Sequence, residues 1–177
     1  KAAVIDRDVA ALLAETELKT FDAFWKMLPA VIEAKYKIVE EDPREEKGLR
    51  QILNLGHTLG HVFEAGYEMA HGEAVGYGLQ FATEWSAHRG YLKSSEYDSI
   101  KKLLIENALL PGKEQFAKNY KKLRKEKVEK FLTYDKKLID KTHVQFVFIE
   151  RIGATFTKKV TLDSLLTDAE RQGWIRE

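Results

Sequence analysis

Three histidines stand close together between residues 50 and 79, a stretch that holds three of the chain's five histidines and six of its eleven glycines. His57 and His61 are four positions apart, so they share one face if the segment is helical, and His71 follows after a turn signal. Imidazole exchanges a proton near neutral pH and is the commonest side-chain ligand of metals. The group therefore predicts proton transfer, a metal site, or both.

The spacing in "HTLGH" suits a metal ion but not a zincin-type metalloprotease. That class needs a glutamate directly after the first histidine, where this chain has Thr58. His71 would begin the next helix, and the turn around Gly66 would bring it back toward His57 or His61. Two histidines and one carboxylate, with a position left open, would form a catalytic zinc site.

A polar stripe accompanies these histidines if residues 45–64 form one continuous α-helix. At about 100° per residue, one face of that helix collects Glu46, Arg50, Asn54, His57, His61 and Glu64. The opposite face collects Ile52, Leu55, Leu59, Val62 and Phe63, which would hold the helix against a core. Solvated helix faces are usually filled with Lys, Glu and Gln, so this composition favours a functional site.

Glycines recur beside the histidines. Gly56 and Gly60 are one turn apart, and Gly76 and Gly78 fall early in the next predicted helix. Each costs a helix about 0.5–1 kcal/mol relative to alanine, so something must approach the backbone closely there. Two explanations stay open, namely a ligand between the helices or tight packing of the helices themselves.

The elements that position these residues are predicted to be mostly helices, because the chain has only three prolines and is rich in Ala, Leu, Glu and Lys up to about residue 130. We predict a mainly α, multi-helical domain spanning residues 1–177. The predicted helices are Val4–Glu15, Phe21–Glu40, Glu45–Glu64, Gly72–Arg89, Ser94–Glu106 and Lys113–Phe131, with breaks at Pro43, Gly66, Gly90 and Pro111–Gly112.

The C-terminal part changes character. β-Branched and aromatic residues concentrate on either side of Gly153 in "THVQFVFIERIGATFTKKVT", which is typical of a small β-hairpin. A last helix should follow in "LDSLLTDAERQGWI", with Asp163 as its candidate N-cap.

Composition limits the partners and the compartment. The 29 basic and 28 acidic residues nearly cancel, so we expect no nucleic-acid partner and no membrane partner. The basic run "KNYKKLRKEKVEK" carries interleaved glutamates, as an exposed helix face does. With no cysteine and no long apolar run, we expect a cytoplasmic protein. Its abrupt helical start suggests a piece of a longer protein.

The segments "GLRQILNLGHTLGHVFE" and "HGEAVGYGL" closely resemble the signature of the C-terminal, metal-binding domain of 3-dehydroquinate synthases. The likeness continues upstream through "KYKIVEEDPREEKGLR" and downstream to "YDKK" and the hairpin. It implies a two-domain enzyme, commonly a homodimer, whose N-terminal NAD-binding domain is absent from this chain. In that family, 3-deoxy-D-arabino-heptulosonate 7-phosphate loses phosphate and closes to 3-dehydroquinate, through a transient oxidation by NAD, in aromatic amino acid biosynthesis.

The resemblance also assigns roles to residues of this chain. His57 and His71 would bind zinc, or cobalt in its place, and the third ligand, a glutamate, would lie just before Lys1. The catalytic residues would be His61, Arg50 and Asn54, with His61 near the phosphate during elimination. The substrate-binding residues would be Lys35, Arg50, Asn54, His61, Glu46 and either Lys136 or Lys137. His88 and His143 have no cluster around them and are predicted to be structural.

Two alternatives remain. Another sugar phosphate cyclase, or a related metal-dependent polyol dehydrogenase, would use a similar domain for a different substrate. A helical metal-binding module without catalysis would keep the histidines as structural residues. The chain alone is expected to be inactive, because both the NAD-binding domain and the glutamate would be missing.

Overall fold

This computed structural model describes residues 1–106, 110, 112–134, 138–140 and 142–177, which contain nine α-helices, two other helical segments and five strands. The α-helices are α1 (Ala2–Ile5), α2 (Arg7–Glu15), α3 (Phe21–Glu41), α4 (His57–Tyr67), α5 (His71–His88), α6 (Ser94–Lys101), α7 (Lys113–Asn119), α8 (Lys125–Tyr134) and α9 (Leu162–Arg171). A 3₁₀ helix (Leu49–Asn54) precedes α4, and a π-helical turn (Lys102–Glu106) follows α6. The predicted mainly α fold is confirmed.

The strands are β1 (Leu123–Arg124), β2 (Leu138–Asp140), β3 (His143–Arg151), β4 (Ala154–Thr161) and β5 (Ile175–Arg176). β3 and β4 form the predicted hairpin, and Gly153 turns the chain with a φ of 80°. β2 adds a third antiparallel strand beside β3, and β1 pairs in parallel with β5. β1, β2 and β5 were not predicted, because strands of two or three residues carry no alternating pattern.

Several predicted helix boundaries are wrong for local reasons. Asp6 divides the first helix, because its side chain accepts the N–H groups of Asp8 and Val9 and starts α2 anew. The last helix is capped by Thr161, whose side chain accepts from Ser164, and not by Asp163. The predicted helix 113–131 is interrupted between α7 and α8, where β1 leaves the helical path to pair with β5.

The prediction of one helix from Glu45 to Glu64 is also wrong. Gly48 and Gly56 have φ values of 70° and 79°, which a continuous right-handed helix cannot contain. Glu46 therefore lies in a turn, and α4 starts only at His57. The predicted stripe is distributed over a turn, a 3₁₀ helix and α4.

Helices α4 and α5 pack with their backbones in contact. A Cβ atom on Gly78 would overlap the carbonyl oxygen of Gly56, and one on Gly60 would lie 3.1 Å from the Cα atom of Val75. Gly76 instead faces the side chain of Leu110. Of the two explanations for the glycines, close helix packing is the one that the contacts support.

Helix α5 is the centre of the core. Trp85 packs against Phe146 and Phe148 of β3, with ring centroids 4.6 Å and 5.0 Å apart. The buried hydroxyl of Ser86 accepts the backbone N–H of Ile149 at 2.9 Å, which fixes the hairpin to the helix. These contacts fix the C-terminal half of α5. The first turn of the same helix, which begins at His71, therefore has a defined position as well.

His88, at the end of α5, has a structural partner. Its Nδ1 atom lies 2.7 Å from the buried carboxylate of Asp168, which also accepts hydrogen bonds from Arg171 and Gln172. This network joins α5 to α9 and agrees with the structural role predicted for His88. Among the described residues, no helix is both long enough and apolar enough to cross a membrane.

The contact between α4 and α5 predicts opposite effects for two substitutions in one helix. Gly78→Ala should lower the free energy of unfolding by roughly 1–3 kcal/mol or more, because the new methyl group meets backbone. Gly72→Ala should be neutral or stabilising, since no atom lies within 4 Å of its added Cβ. Urea unfolding of both variants measures the difference, and equal stability of the two would contradict the packing described.

Candidate metal and substrate site

His57, His61 and His71, here called the histidine cluster, meet where α4 and α5 begin. The ring centroids of His57 and His61 are 5.5 Å apart, those of His57 and His71 5.4 Å, and those of His61 and His71 6.1 Å. His57 and His71 are the first residues of the two helices, so the backbone contact between α4 and α5 brings them together. The predicted meeting of His71 with the other two histidines is confirmed.

The ring orientation of His57 follows from a hydrogen bond to the main chain. Its Nδ1 atom lies 3.0 Å from the carbonyl oxygen of Leu55. Because a carbonyl oxygen only accepts, Nδ1 carries the proton and the lone pair is on Nε2. This tautomer is the one that a histidine uses to bind a metal ion through Nε2.

Glu64 joins the cluster from one side of α4. Its Oε2 atom lies 3.0 Å from Nδ1 of His71, and this hydrogen bond, helped by the nearby histidines, lowers the pKa of the Glu64 carboxyl. His61, Glu64 and His71 each offer one ligand atom, and these three atoms lie within 4.8 Å of one another. Imidazole nitrogens and a carboxylate oxygen are donors that zinc and cobalt accept. The residues present therefore fit a metal ion.

The structure places Glu64, to which the resemblance gave no role, in a group that could hold a metal ion. His57 lies beside His71 but is not part of the three-residue group above. Glu64 had a place in the predicted stripe but was given no role, although it follows His61 by three residues and so lies on the same helix face. The assignment of His57 and His71 as metal ligands stays a prediction.

Two basic side chains, those of Lys1 and Lys35, lie near the end of the 3₁₀ helix that precedes α4. The Nζ atom of Lys1 donates to the carbonyl oxygen of Leu53 at 2.8 Å, directly before Asn54. Burial, and after it the positive charge of Lys35, lowers the pKa of Lys1. Lys1, Lys35 and Leu53 line one cavity of about 350 Å³. The sequence predicts no substrate role for Lys1, because the Leu53 carbonyl that it contacts is 52 residues away in the chain.

Arg50 lies one residue into the 3₁₀ helix that precedes α4. Its Nη1 atom donates to the carbonyl oxygen of Pro43 at 3.3 Å, while its Nε atom is buried and has no hydrogen-bond partner among the described residues. A buried donor of this kind costs free energy unless a ligand satisfies it. We call Lys1, Lys35, Arg50 and Asn54 the basic half of the site.

The structure gives Glu46 and His143 surroundings of their own. Glu46 is exposed in the turn before Gly48. Lys136 and Lys137 lie outside the described residues. His143 on β3 lies 3.0 Å from Asp140, in a separate part of the fold. The roles proposed for Glu46 and Lys136 stay predictions.

Asp42 organises the turn that carries Arg50. Its buried carboxylate accepts the backbone N–H groups of Lys47 at 3.1 Å and Leu49 at 2.9 Å. Burial by itself raises the pKa of Asp42, but these backbone hydrogen bonds outweigh it and hold the pKa below its ordinary value. The ionised side chain therefore fixes the path of residues 42–49 and the start of the 3₁₀ helix.

Comparison with known sequences gives a consistent family. Residues 1–138 match the profile described as 3-dehydroquinate synthase C-terminal. Curated 3-dehydroquinate synthases match as well: that of Thermoanaerobacter pseudethanolicus is 36% identical over 137 residues, and that of Clostridium botulinum 33% over 130 residues. These alignments cover 76% and 72% of this chain but only 36% and 35% of the relatives. The chain thus spans about a third of their length.

Solved structures show the same fold. A 2-deoxy-scyllo-inosose synthase complexed with carbaglucose-6-phosphate, NAD⁺ and Co²⁺ aligns with a TM-score of 0.65 at 20% identity, over 83% of this chain and 41% of that one. A 2-epi-5-epi-valiolone synthase from Streptomyces hygroscopicus, with NAD⁺ and Zn²⁺ bound, aligns with a TM-score of 0.64 at 19% identity, over 96% and 49%. The fold is therefore shared with enzymes that bind NAD and a divalent metal.

Removing the carboxylate of Asp42 should loosen the turn before Arg50. Asp42→Asn should lower the melting temperature at pH 7 by roughly 2–6 °C, because an amide replaces an acceptor of two backbone N–H groups. The pKa of Asp42 is lowered on folding, so its stabilising contribution is present above its unfolded pKa of about 4 and is lost as the pH falls below it.

The difference in melting temperature between the wild type and Asp42→Asn should therefore shrink below about pH 4. Thermal melts from pH 3 to pH 8 measure it, with the exposed residue change Glu40→Gln as control. A difference that persists unchanged at pH 3 would show that ionised Asp42 does not hold the turn.

The histidine cluster predicts zinc affinity. His71→Ala should weaken zinc binding by at least ~100-fold. Loss of a residue that only hydrogen-bonds to a metal ligand costs about 10–100-fold, and loss of the ligand itself should cost more. His143→Ala, which changes a histidine outside the cluster, should leave the affinity unchanged. Competition with a chromophoric chelator measures both. If His57→Ala and His71→Ala lowered only the melting temperature, these histidines would be structural residues.

Proposed function

Because the chain belongs to the family of 3-dehydroquinate synthase C-terminal domains, we propose that it is the metal- and substrate-binding part of an enzyme that makes 3-dehydroquinate. The substrate would be 3-deoxy-D-arabino-heptulosonate 7-phosphate, and the second product phosphate. The observation that carries this proposal is the meeting of the histidine cluster with Glu64 where α4 and α5 begin. The buried Nε of Arg50, which has no hydrogen-bond partner among the described residues, adds a free donor on the 3₁₀ helix that precedes α4 in the chain.

The metal half would be formed by His57 and His71, with Glu64 and His61 around them. When bound, zinc or cobalt supplies a Lewis acid that lowers the pKa of the hydroxyl to be oxidised. The residues of this chain would orient that hydroxyl, and His61 would exchange a proton near the leaving phosphate. A neutral imidazole suits this exchange because its pKa is near neutral pH.

The basic half would hold the anionic groups of the substrate. Arg50 offers a planar guanidinium for a carboxylate, and the ammonium groups of Lys1 and Lys35 suit a phosphate. Asn54 can donate to a substrate hydroxyl from the end of the 3₁₀ helix. Lys136 would add a further positive charge and Glu46 an acceptor for substrate hydroxyls.

NAD would be bound elsewhere in the whole protein. Within the described residues, no strand–helix–strand unit with a glycine-rich turn is present to cradle a dinucleotide. The resemblance to 3-dehydroquinate synthases assigns NAD to an N-terminal domain outside this chain, and we propose that the isolated chain is inactive. The whole protein would be a cytoplasmic homodimer, with no nucleic-acid or membrane partner.

A second candidate is another sugar phosphate cyclase, because the solved structures with this fold make 2-deoxy-scyllo-inosose and 2-epi-5-epi-valiolone. Three curated sequence relatives are all 3-dehydroquinate synthases, which favours the first reaction. The substrates differ in a carboxylate, so Arg50 is the residue on which the choice depends. A polyol dehydrogenase or a metal-binding module without catalysis is the outcome if no phosphate is released.

The test is phosphate release by the whole protein with NAD and zinc. The heptulosonate phosphate should be turned over and sedoheptulose 7-phosphate, which lacks the carboxylate, should not. Arg50→Ala should lower kcat/KM by about 10–100-fold, the cost of a charge-assisted hydrogen bond. Arg44→Ala, an exposed arginine of the same turn, is the matched control.

Release by the whole protein alone, and not by residues 1–177, would support the division of labour described. Turnover by the isolated chain would contradict it. Equal turnover by Arg50→Ala and Arg44→Ala would contradict the role given to Arg50, and preference for sedoheptulose 7-phosphate would select the second candidate.

A further inference from the structure

The hydrogen bond between Glu64 and His71 points to a function for Glu64 other than binding the metal ion itself. We propose that Glu64 is a positioning residue of the metal centre: its carboxylate accepts the Nδ1–H of His71 and thereby presents the Nε2 lone pair of His71 to the metal ion. The inference rests on the metal-binding part of the proposed function and deepens it.

The ring of His71 needs a restraint to keep one orientation. It is the first residue of α5, its side chain is 55% exposed, and the N-cap residue Ala70 offers no side-chain hydrogen bond to the helix. Among the described residues, the hydrogen-bond partner that the structure gives to the His71 ring is Glu64, at 3.0 Å. An exposed ring at a helix start samples several rotamers unless such a contact holds it.

Glu64 lies on a part of the fold that is fixed relative to His71. It lies two turns along α4 from His57, and α4 is fixed against α5 by the contact of Gly56 with Gly78. A carboxylate on this rigid element can therefore hold a ring on the next one. Its side chain is 39% exposed, so ionisation requires no full desolvation.

His57 has an acceptor at Nδ1 in the same way as His71. The carbonyl oxygen of Leu55 accepts the Nδ1–H of His57, just as the carboxylate of Glu64 accepts from His71. Both rings then carry their lone pair on Nε2, and their centroids are 5.4 Å apart. Two histidines in one tautomer, each fixed by an acceptor at Nδ1, form the arrangement in which outer partners orient metal ligands.

The competing role for Glu64 is direct coordination. Its oxygen lies within 4.8 Å of ligand atoms on His61 and His71, which allows such a set. In that arrangement the carboxylate would leave Nδ1 of His71 and bind the metal ion instead. The two roles differ in what a glutamine can replace, because an amide oxygen accepts from Nδ1–H but is a poor substitute for a charged ligand.

The test measures metal binding by the whole protein without turnover, using zinc affinity and the visible spectrum of the Co²⁺ form. Glu64→Ala should weaken zinc binding by about 10–100-fold, the usual cost of losing an outer partner. Glu64→Gln should recover most of that loss and keep the Co²⁺ band positions and intensity. Glu68→Gln, an exposed residue just beyond α4, is the matched control and should bind like the wild type.

A ¹⁵N spectrum of the zinc-loaded wild type should show His71 protonated at Nδ1 and metal-bound at Nε2. The proposal is overturned if Glu64→Gln and Glu64→Ala lose binding equally and the Co²⁺ bands change, since Glu64 would then be a ligand. Unchanged zinc affinity in Glu64→Ala would overturn it too. Because no measurement here uses substrate, failure of the proposed reaction would remain visible separately in the phosphate assay.

Discussion

The close contact between the backbones of α4 and α5 is the constraint on which the site depends. Gly78 and Gly56 leave no room for a side chain between the two helices, and Gly60 meets Val75 in the same way. Helices with larger residues at these positions would stand further apart, because interaxial distance follows the side chains at the contact. The first residues of the two helices, His57 and His71, would then be separated.

A second constraint is the change in the direction of the chain just before α4. Gly48 and Gly56 both adopt positive φ, and the chain between them forms a 3₁₀ helix instead of extending α4 backwards. Arg50 and Asn54 therefore lie on the 3₁₀ helix, and they do not continue the axis of α4. Asp42 holds the turn through backbone N–H groups, so the basic half has a fixed support of its own.

The separation into a metal half and a basic half offers a physical reason for related enzymes with one fold and different substrates. A metal centre that acts on a hydroxyl group recognises a feature that many sugars share. The cations around it must match the carboxylate or phosphate groups of one substrate. Changes in the 3₁₀ helix or in α3 would thus alter the substrate while the ends of α4 and α5 remain the same.

The sequence alone determined the helical class, the hairpin around Gly153 and the grouping of the three histidines, because periodicity and motif spacing are local properties. It also identified the family, through segments that stay contiguous in the chain. Only the tertiary structure decided that the stripe is broken at Gly56 and that Glu64 meets His71. Positive φ at a glycine and contact between two helices both depend on what packs around them. Neither can be read from the placement of residues 45–64 on one ideal helix. Lys1 came beside Leu53 for the same reason, since its partner is distant in sequence and near only in the fold.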